Sequence, residues 1–338
     1  MRWLSGDPPR GWPARALVVF VALALAATPL LFHGAKPLEV AEKICVMAAL
    51  AASYDVLLGY TGIVSFAHVM FFGVGAYGVG LASYALGPGW GAMAVGLAGG
   101  LALSAGLALA IGLFSLRVQA IFFAMVTLAV AYAFNVLASQ LPDLTGGEDG
   151  RSFRVPELLR PGHHFGHWLG TAVTGRTLTY YLVLAGAAAL FLVLLRIVNS
   201  PFGRVLQAIR ENPLRAEALG YRIVFHRTLA VIVTALAAAF VGGLDAMWQH
   251  YVGPDTALSF SIQIDVLVIV VIGGRGTLYG AVVGAAATAT ADLPLLPNLL
   301  HPDRWLLWLG VLFILAVRFA PRGIVGELQR RHDEGRRS

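Results

Sequence analysis

The side chains with the most chemical potential are the few ionisable ones set inside apolar runs: Asp55, His68 and Asp265. A carboxylate within hydrocarbon costs about 2.5–3.5 kcal/mol on insertion scales, so each needs a partner, water or a task. Together the three could form the relay of a proton- or sodium-driven carrier. Asn135 is a further polar group in an apolar run and should face protein or a solute path. Ser65 and His68 stand at i, i+3 and share a helix face with Phe72; His68 equally suits a packing role as a hydrogen-bonded interior histidine. Covalent chemistry has less support, because no nucleophile–base pair or metal cluster stands out. His163, His164 and His167 have no cysteine or paired carboxylate close by, so a solvated loop and no metal is expected there. The loop Gly273-Gly274-Arg275-Gly276 is not a phosphate cradle: a P-loop places Gly-Lys-Ser/Thr after four intervening residues, and the only lysines are Lys36 and Lys43.

Such groups must be held by membrane helices. The chain has 338 residues, 58% of them hydrophobic and 12% charged, with mean hydropathy +0.76; a soluble domain carries about twice that charge. Apolar runs near the roughly 20 residues that cross a bilayer recur along its length. The fold class expected is therefore all-α, a polytopic helical membrane protein with about ten transmembrane helices. The runs are 16–32, 38–58, 62–86, 90–116, 118–141, 178–198, 226–250, 258–272, 280–296 and 304–320. Arginines gather in loops and tails, as orientation signals do, so the net charge of +6 does not argue for nucleic acid. Arg2, Arg10 and Arg15 precede the first run, which reads as a retained signal-anchor, although Ala24 and Ala26 leave signal cleavage conceivable. Cys45 is the single cysteine, which excludes disulfides within the chain.

Placing the polar stretch 199–226 and both termini inside gives ten crossings and puts the charge-balanced connection 142–177 outside. Residues 1–15 then form a cytoplasmic N-terminus, 16–321 the membrane domain and 322–338 a basic cytoplasmic tail. Trp3 and Trp12 fall inside, while Trp90, Trp168, Trp248, Trp305 and Trp308 fall at or beyond outer ends, as interfacial belts do.

Ser200–Arg222 predicts two short helices meeting at a bend. Ser200 suits an N-cap and Pro201 the first helical position. Phe202, Val205, Leu206 and Ile209 form one apolar stripe, with Arg204, Gln207 and Arg210 away from it. Asn212-Pro213 repeats the start signal, and Gly220 suits a left-handed end. The element is shaped to dock into something else.

Four motifs in order resemble the branched-chain amino acid ABC permeases of the LivM type. Gly203-Arg204, Ala208–Asn212 and Ala216–Gly220 are similar to the family's cytoplasmic coupling loop. Gly59-Tyr60-Thr61-Gly62 with Ser65, His68, Gly73, Gly75, Ala76 and Tyr77 is similar to the start of its core, where glycines permit close packing or a broken helix lining a cavity. Ala120–Ala129 with Leu144–Gly150 resembles a helix-and-loop pair of LivM rather than LivH, with Arg117 at the inner start of the helix. Ser261-Ile262 with Asp265, then Gly273–Gly280, resembles a fourth segment, in which Arg275 lies at the inner surface and need not reach Asp265.

The resemblance implies an ABC importer permease fold in the cell inner membrane, paired with a LivH-like subunit, two ATPase subunits and an extracytoplasmic solute-binding protein. It implies that ATP and magnesium bind the partners, with no cofactor on this chain and no enzymatic step in it. Gly203, Arg204, Ala208, Ile209, Arg210, Glu211, Asn212, Glu217 and Gly220 would couple to the ATPases. Gly62, Ser65, His68, Gly75, Thr127, Asn135, Thr145, Gly146 and Asp265 would lie along the translocation path, Thr145–Gly147 at its outer mouth or as a simple tight turn. The solute would be a branched-chain or similarly small amphipathic amino acid; urea or another small amide, or an ion-coupled carrier, are the alternatives. Asp55 stands where the family usually has asparagine, Ala281 replaces a frequent proline, and Asp245, near an outer helix end, lies outside the pattern.

Overall fold

Backbone N–H and C=O groups in hydrocarbon find partners only within helices or closed barrels, and this chain takes the first route. The computed structural model describes residues 12–31, 34–115, 120–168, 171–291, 310–311 and 323–326. Its long helices are α1 (Trp12–Leu31), α2 (Ala35–Asp55), α3 (His68–Leu86), α4 (Trp90–Ser115) and α5 (Ala120–Gln140). A one-turn α6 (Pro142–Thr145) precedes α7 (Gly175–Val198), the short α8 (Pro201–Glu211) and α9 (Pro213–Ala218), and the long α10 (Ile223–Gln249). The one-turn α11 (Pro254–Ala257), α12 (Phe260–Gly273) and α13 (Leu278–Ala291) follow.

Six stretches among the described residues are long and apolar enough to cross a membrane: α3, α4, α5, α7, α10 and 254–273. Ten were expected from the sequence, and six are found among the described residues. Residues 16–31 of α1 and 278–290 of α13 are apolar but shorter. Of the run 304–320 only residues 310–311 are described, and of the tail only 323–326; Arg117 lies outside the described residues. The run 38–58 falls on α2, whose first turns carry Lys36, Glu39, Glu42 and Lys43; from Ala48 to Val56 every residue of it is buried. The run 62–86 is helical only from His68. Before it, α2 continues into a π-helical turn, Val56–Tyr60, and the backbone then leaves helix until Ala67. Gly62 takes φ 72° there, a conformation that glycine reaches without a Cβ clash.

Two-thirds (67%) of the apolar window of α3 and of α10 is buried, against 17% for α5. The centre of the bundle is thus α2, α3 and α10. Without a hydrophobic drive between helices in lipid, close approach comes from small residues. Gly75 lies directly on the Ala239 backbone and Gly242 on that of Phe72, so a Cβ at either would overlap the opposing main chain. The outer helices expose apolar faces, including Ile121, Phe122 and Met125 of α5.

Among the described residues, four short strands add to the expected helices. In the connection after α6, β1 (Arg151–Ser152) pairs antiparallel with β4 (Tyr251–Val252), which follows α10. β2 (His164–Trp168) and β3 (Thr171–Thr174) form a hairpin. The Tyr251 hydroxyl donates to the Asp149 carbonyl at 2.9 Å, fastening the long connection to the end of α10.

Candidate functional site

The α8–α9 elbow forms by the local rules its sequence announces. Ser200 Oγ accepts from the Gly203 amide at 3.4 Å, and Asn212 Oδ1 accepts from the Arg215 amide at 3.0 Å. Gly220 ends α9 at φ 89°. Gly203, Leu206 and Ile209 are buried and Phe202 and Val205 half-buried, so the apolar stripe faces the bundle, where α8 packs on α7, α10 and the π turn. Arg204, Ala208, Glu211, Asn212, Glu217 and Gly220 are exposed. The large apolar residues Leu214, Leu219 and Phe225 also face outward around the elbow.

Arg210 is exposed as well, yet its guanidinium also reaches back to the bundle. Its Nη1 reaches inward and donates to the Gly59 carbonyl in the π turn. The last carbonyls of a helix lack intrahelical donors, and a cation there also meets the negative end of the helix dipole. The glycine loop closes the same node from the other side. The Gly276 amide donates to Asp55 Oδ1 at 2.8 Å, a carboxylate at the start of α13 where the dipole favours negative charge. Gly276 takes φ 79°, and a Cβ on Gly59 would collide with its backbone and with Asp55. Three motifs far apart in sequence, around Gly59, Arg210 and Gly276, therefore meet at one end of α2.

Beyond the node, the non-helical stretch holds both walls of a groove. The Phe66 amide donates to Thr127 Oγ1 of α5 at 3.1 Å. The Val69 amide, in the first turn of α3, donates to Gln263 Oε1 of α12 at 3.2 Å. Between α3, α5 and α12 lies a groove of about 640 Å³ with Met70, Leu128, Leu258 and Phe260 among its apolar walls and Asn135 and Gln263 among its polar groups. Asn135 Nδ2 donates to the Leu258 carbonyl at 3.3 Å. Gln263 is buried, and its Nε2 has no hydrogen-bond partner. A buried donor without a partner carries the full desolvation penalty, which a solute acceptor would relieve. The arrangement can hold a small amphipathic molecule: an amide donor for its polar end and apolar walls, aliphatic and aromatic, for its body.

Of the residues expected along a path, Asn135 lines this groove and Thr127 braces it. Gly62 lies in the break beside the Arg210 side chain. Ser65 and His68 are interior groups: Ser65 Oγ accepts from the Ala67 amide at 3.3 Å, and His68 Nε2 lies 2.8 Å from Ser53 Oγ. Gly75 is a packing contact. Thr145 and Gly146 make a tight turn, with Thr145 Oγ1 donating to the Ala138 carbonyl at 2.5 Å and Gly146 at φ 88°. Asp265 lines a different cavity from Gln263. Asp55, His68 and Asp265 thus occupy three places and are not brought into one relay. Among the described residues no group of three His, Cys, Asp or Glu is placed to hold a metal ion. Sequence reasoning passed over Gln263, although an amide within an apolar run is the same signal that singled out Asn135.

A family model described as the permease component of branched-chain amino acid transport systems matches residues 37–317. The high-affinity branched-chain amino acid transport system permease protein LivM of Escherichia coli K12 is 28% identical over 325 residues, covering 91% of this chain and 74% of its own length. LivM of Salmonella typhimurium LT2 is 27% identical over the same extent. The permease protein LivH of Escherichia coli K12 is 22% identical over 284 residues, 82% of this chain and 91% of its own. No solved structure matches. With the family model spanning most of its length, the chain is an integral membrane protein that belongs to the branched-chain amino acid transport permease family.

Proposed function

We propose that this chain is a membrane-spanning subunit of an ATP-driven importer that carries branched-chain amino acids, or similarly small amphipathic ones, across the inner membrane. The observation that carries the reading is the bond from Arg210 to the Gly59 carbonyl. It ties an outward-facing elbow to the break, at whose far end the Phe66 amide and the Val69 amide of the first turn of α3 anchor the two walls of the groove. The elbow and the termini are cytoplasmic in this reading, and residues 142–177 face outward. Of two ATPase subunits, which bind ATP and magnesium, one docks on α8–α9, where Leu214 and Leu219 offer apolar contact and Arg204, Glu211 and Glu217 polar contact. A LivH-like subunit completes the path, and an extracytoplasmic binding protein delivers solute.

Closure of the ATPases shifts α8, and Arg210 carries that shift to Gly59. Displacements of about 1–2 Å at such helix contacts are enough to switch packed elements between states. The Phe66 and Val69 amides then move against Thr127 and Gln263, and the groove changes its opening. The apolar walls of the groove favour leucine-like solutes over urea. Reconstitution with the partner subunits in proteoliposomes tests the reading: leucine uptake is expected to require ATP and to survive an uncoupler. Uptake by the isolated chain, driven by an ion gradient and abolished by the uncoupler, would overturn it.

A further inference from the structure

We propose that a second cavity, on the opposite side of α12 from the groove residue Gln263, is a binding site for the protonated amine of a small organic solute. The cavity measures about 700 Å³, within the range of small-molecule sites, and lies between α2, α7, α10 and α12. Glu39, Glu42, Asp245, Asp255 and Asp265 line it, against Lys43 and Arg176. Its mouth is formed by the start of α2, the start of α7 and the end of α10, so it opens at the end of the bundle away from Arg210. Glu42 lies thirteen residues before Asp55 on α2, about 20 Å along the helix from the Arg210 node.

Glu42 is the observation that points to a ligand. The residue is 2% exposed, it lines the cavity, and its Oε1 has no hydrogen-bond partner. A buried carboxylate oxygen left bare is costly unless something supplies a donor. The charges on hand do not remove that need. Asp245 lines the same cavity and, as a carboxylate, brings no donor. Arg176 is engaged with Glu39 at 2.7 Å and lies over the Trp248 ring at 4.9 Å. His250, just past the end of α10, is held below the usual histidine range by burial and by Arg176, so near neutral pH it adds no positive charge. Lys43 also lines the cavity, yet Glu42 Oε1 is still without a donor, which a cation from outside can supply. The described carboxylates form no metal-holding group, and the cavity is far roomier than a bare ion needs. A primary ammonium has three donors that can bridge Glu42 and Asp245, while Val46, Phe72 and Trp248 give its carbon body apolar contact. The inference deepens the importer reading and rests on it for the identity of the solute, but not for the existence of the site.

The test is calorimetric titration of the full-length chain in lipid nanodiscs, without ATPase subunits, using isoamylamine, leucine and 4-methylpentanoate as probes. Isoamylamine and leucine are expected to bind and 4-methylpentanoate, which lacks the amine, is not. Glu42→Gln is expected to weaken isoamylamine by at least about tenfold, the scale of one charge-assisted hydrogen bond, while exposed Glu39→Gln changes it by less than about threefold. Asp245→Asn in the same assay keeps the test decisive should Glu42→Gln not fold. Unchanged affinity in Glu42→Gln or Asp245→Asn, equal binding of amine and acid, or no amine binding to the wild type at millimolar concentration would each overturn the proposal. None of these outcomes touches ATP-driven uptake, so failure here is distinct from failure of the importer reading.

Discussion

Arg210→Ala isolates the link between the elbow and the break. The substitution removes a charged donor from the Gly59 carbonyl, and Gly59 is buried in the π turn. Hydrogen bonds to charged groups contribute about 1.5–3 kcal/mol, and a cation at a helix C-terminus adds roughly 0.3–1 kcal/mol. Taking about 2 kcal/mol for the sum after partial solvation, the coupled equilibrium shifts by roughly thirtyfold. In proteoliposomes holding the whole complex, leucine uptake per ATP hydrolysed is therefore expected to fall by about that factor. ATP hydrolysis itself is expected to stay within about twofold of wild type, because Arg204, Glu211 and Glu217 remain exposed on the elbow for the proposed contact. Arg210→Lys keeps the charge on a differently shaped donor and is expected to fall in between. Parallel loss of uptake and hydrolysis would mean that Arg210 merely holds the docking surface. Unchanged uptake would show that the bond transmits nothing.

Asp55→Asn keeps an acceptor for the Gly276 amide while removing a carboxylate whose Oδ2 is unpartnered. It should leave uptake intact and alter thermal stability in nanodiscs by under about 1 kcal/mol, in the stabilising direction; loss of uptake would revive an ionic relay. Gly59→Ala pushes a methyl into Asp55 and the Gly276 backbone, so a destabilisation of about 1–3 kcal/mol is expected, read as a lower unfolding midpoint. Gln263→Leu deletes both the Val69 acceptor and the free donor in the groove; the apparent KM for leucine should rise by about tenfold or more, and an unchanged KM would remove Gln263 from the path. Leu214→Glu places a charge on an exposed apolar position of the elbow and should reduce co-purification of the ATPase subunits, leaving the unfolding midpoint of the chain unchanged.

What the sequence made legible is what short-range chemistry decides. Ser200, Asn212 and Gly220 cap the elbow as their types require, and the stripe ending at Ile209 faces inward as its spacing requires. The glycines at 59 and 62 announced a break, but where helix resumes is settled from elsewhere in the chain. The amides of Phe66 and Val69 are held by Thr127 and Gln263, 61 and 194 positions away. The inward turn of Arg210 depends on Gly59, 151 positions away, so a reading along the chain gave it only an outward role. The span count failed to close for a related reason. Lys36, Glu39, Glu42 and Lys43 make α2 look half-soluble, yet the helix packs against α7, α10, α12 and α13, and its buried second half needs no lipid-facing apolar surface. Asp265 and Gln263 are two residues apart on one helix and serve different cavities, a separation that spacing alone left open.

Transmission from elbow to groove can be observed without measuring transport. Spin labels replacing Met125 on α5 and Phe260 on α12, both exposed on the groove rim, report its width by pulsed electron resonance, and the buried Cys45 stays silent. In the assembled complex, ATP is expected to shift the distance between the labels, and Arg210→Ala is expected to abolish that shift while the ATPases remain bound. An equal ATP-dependent shift with and without Arg210 would contradict the account.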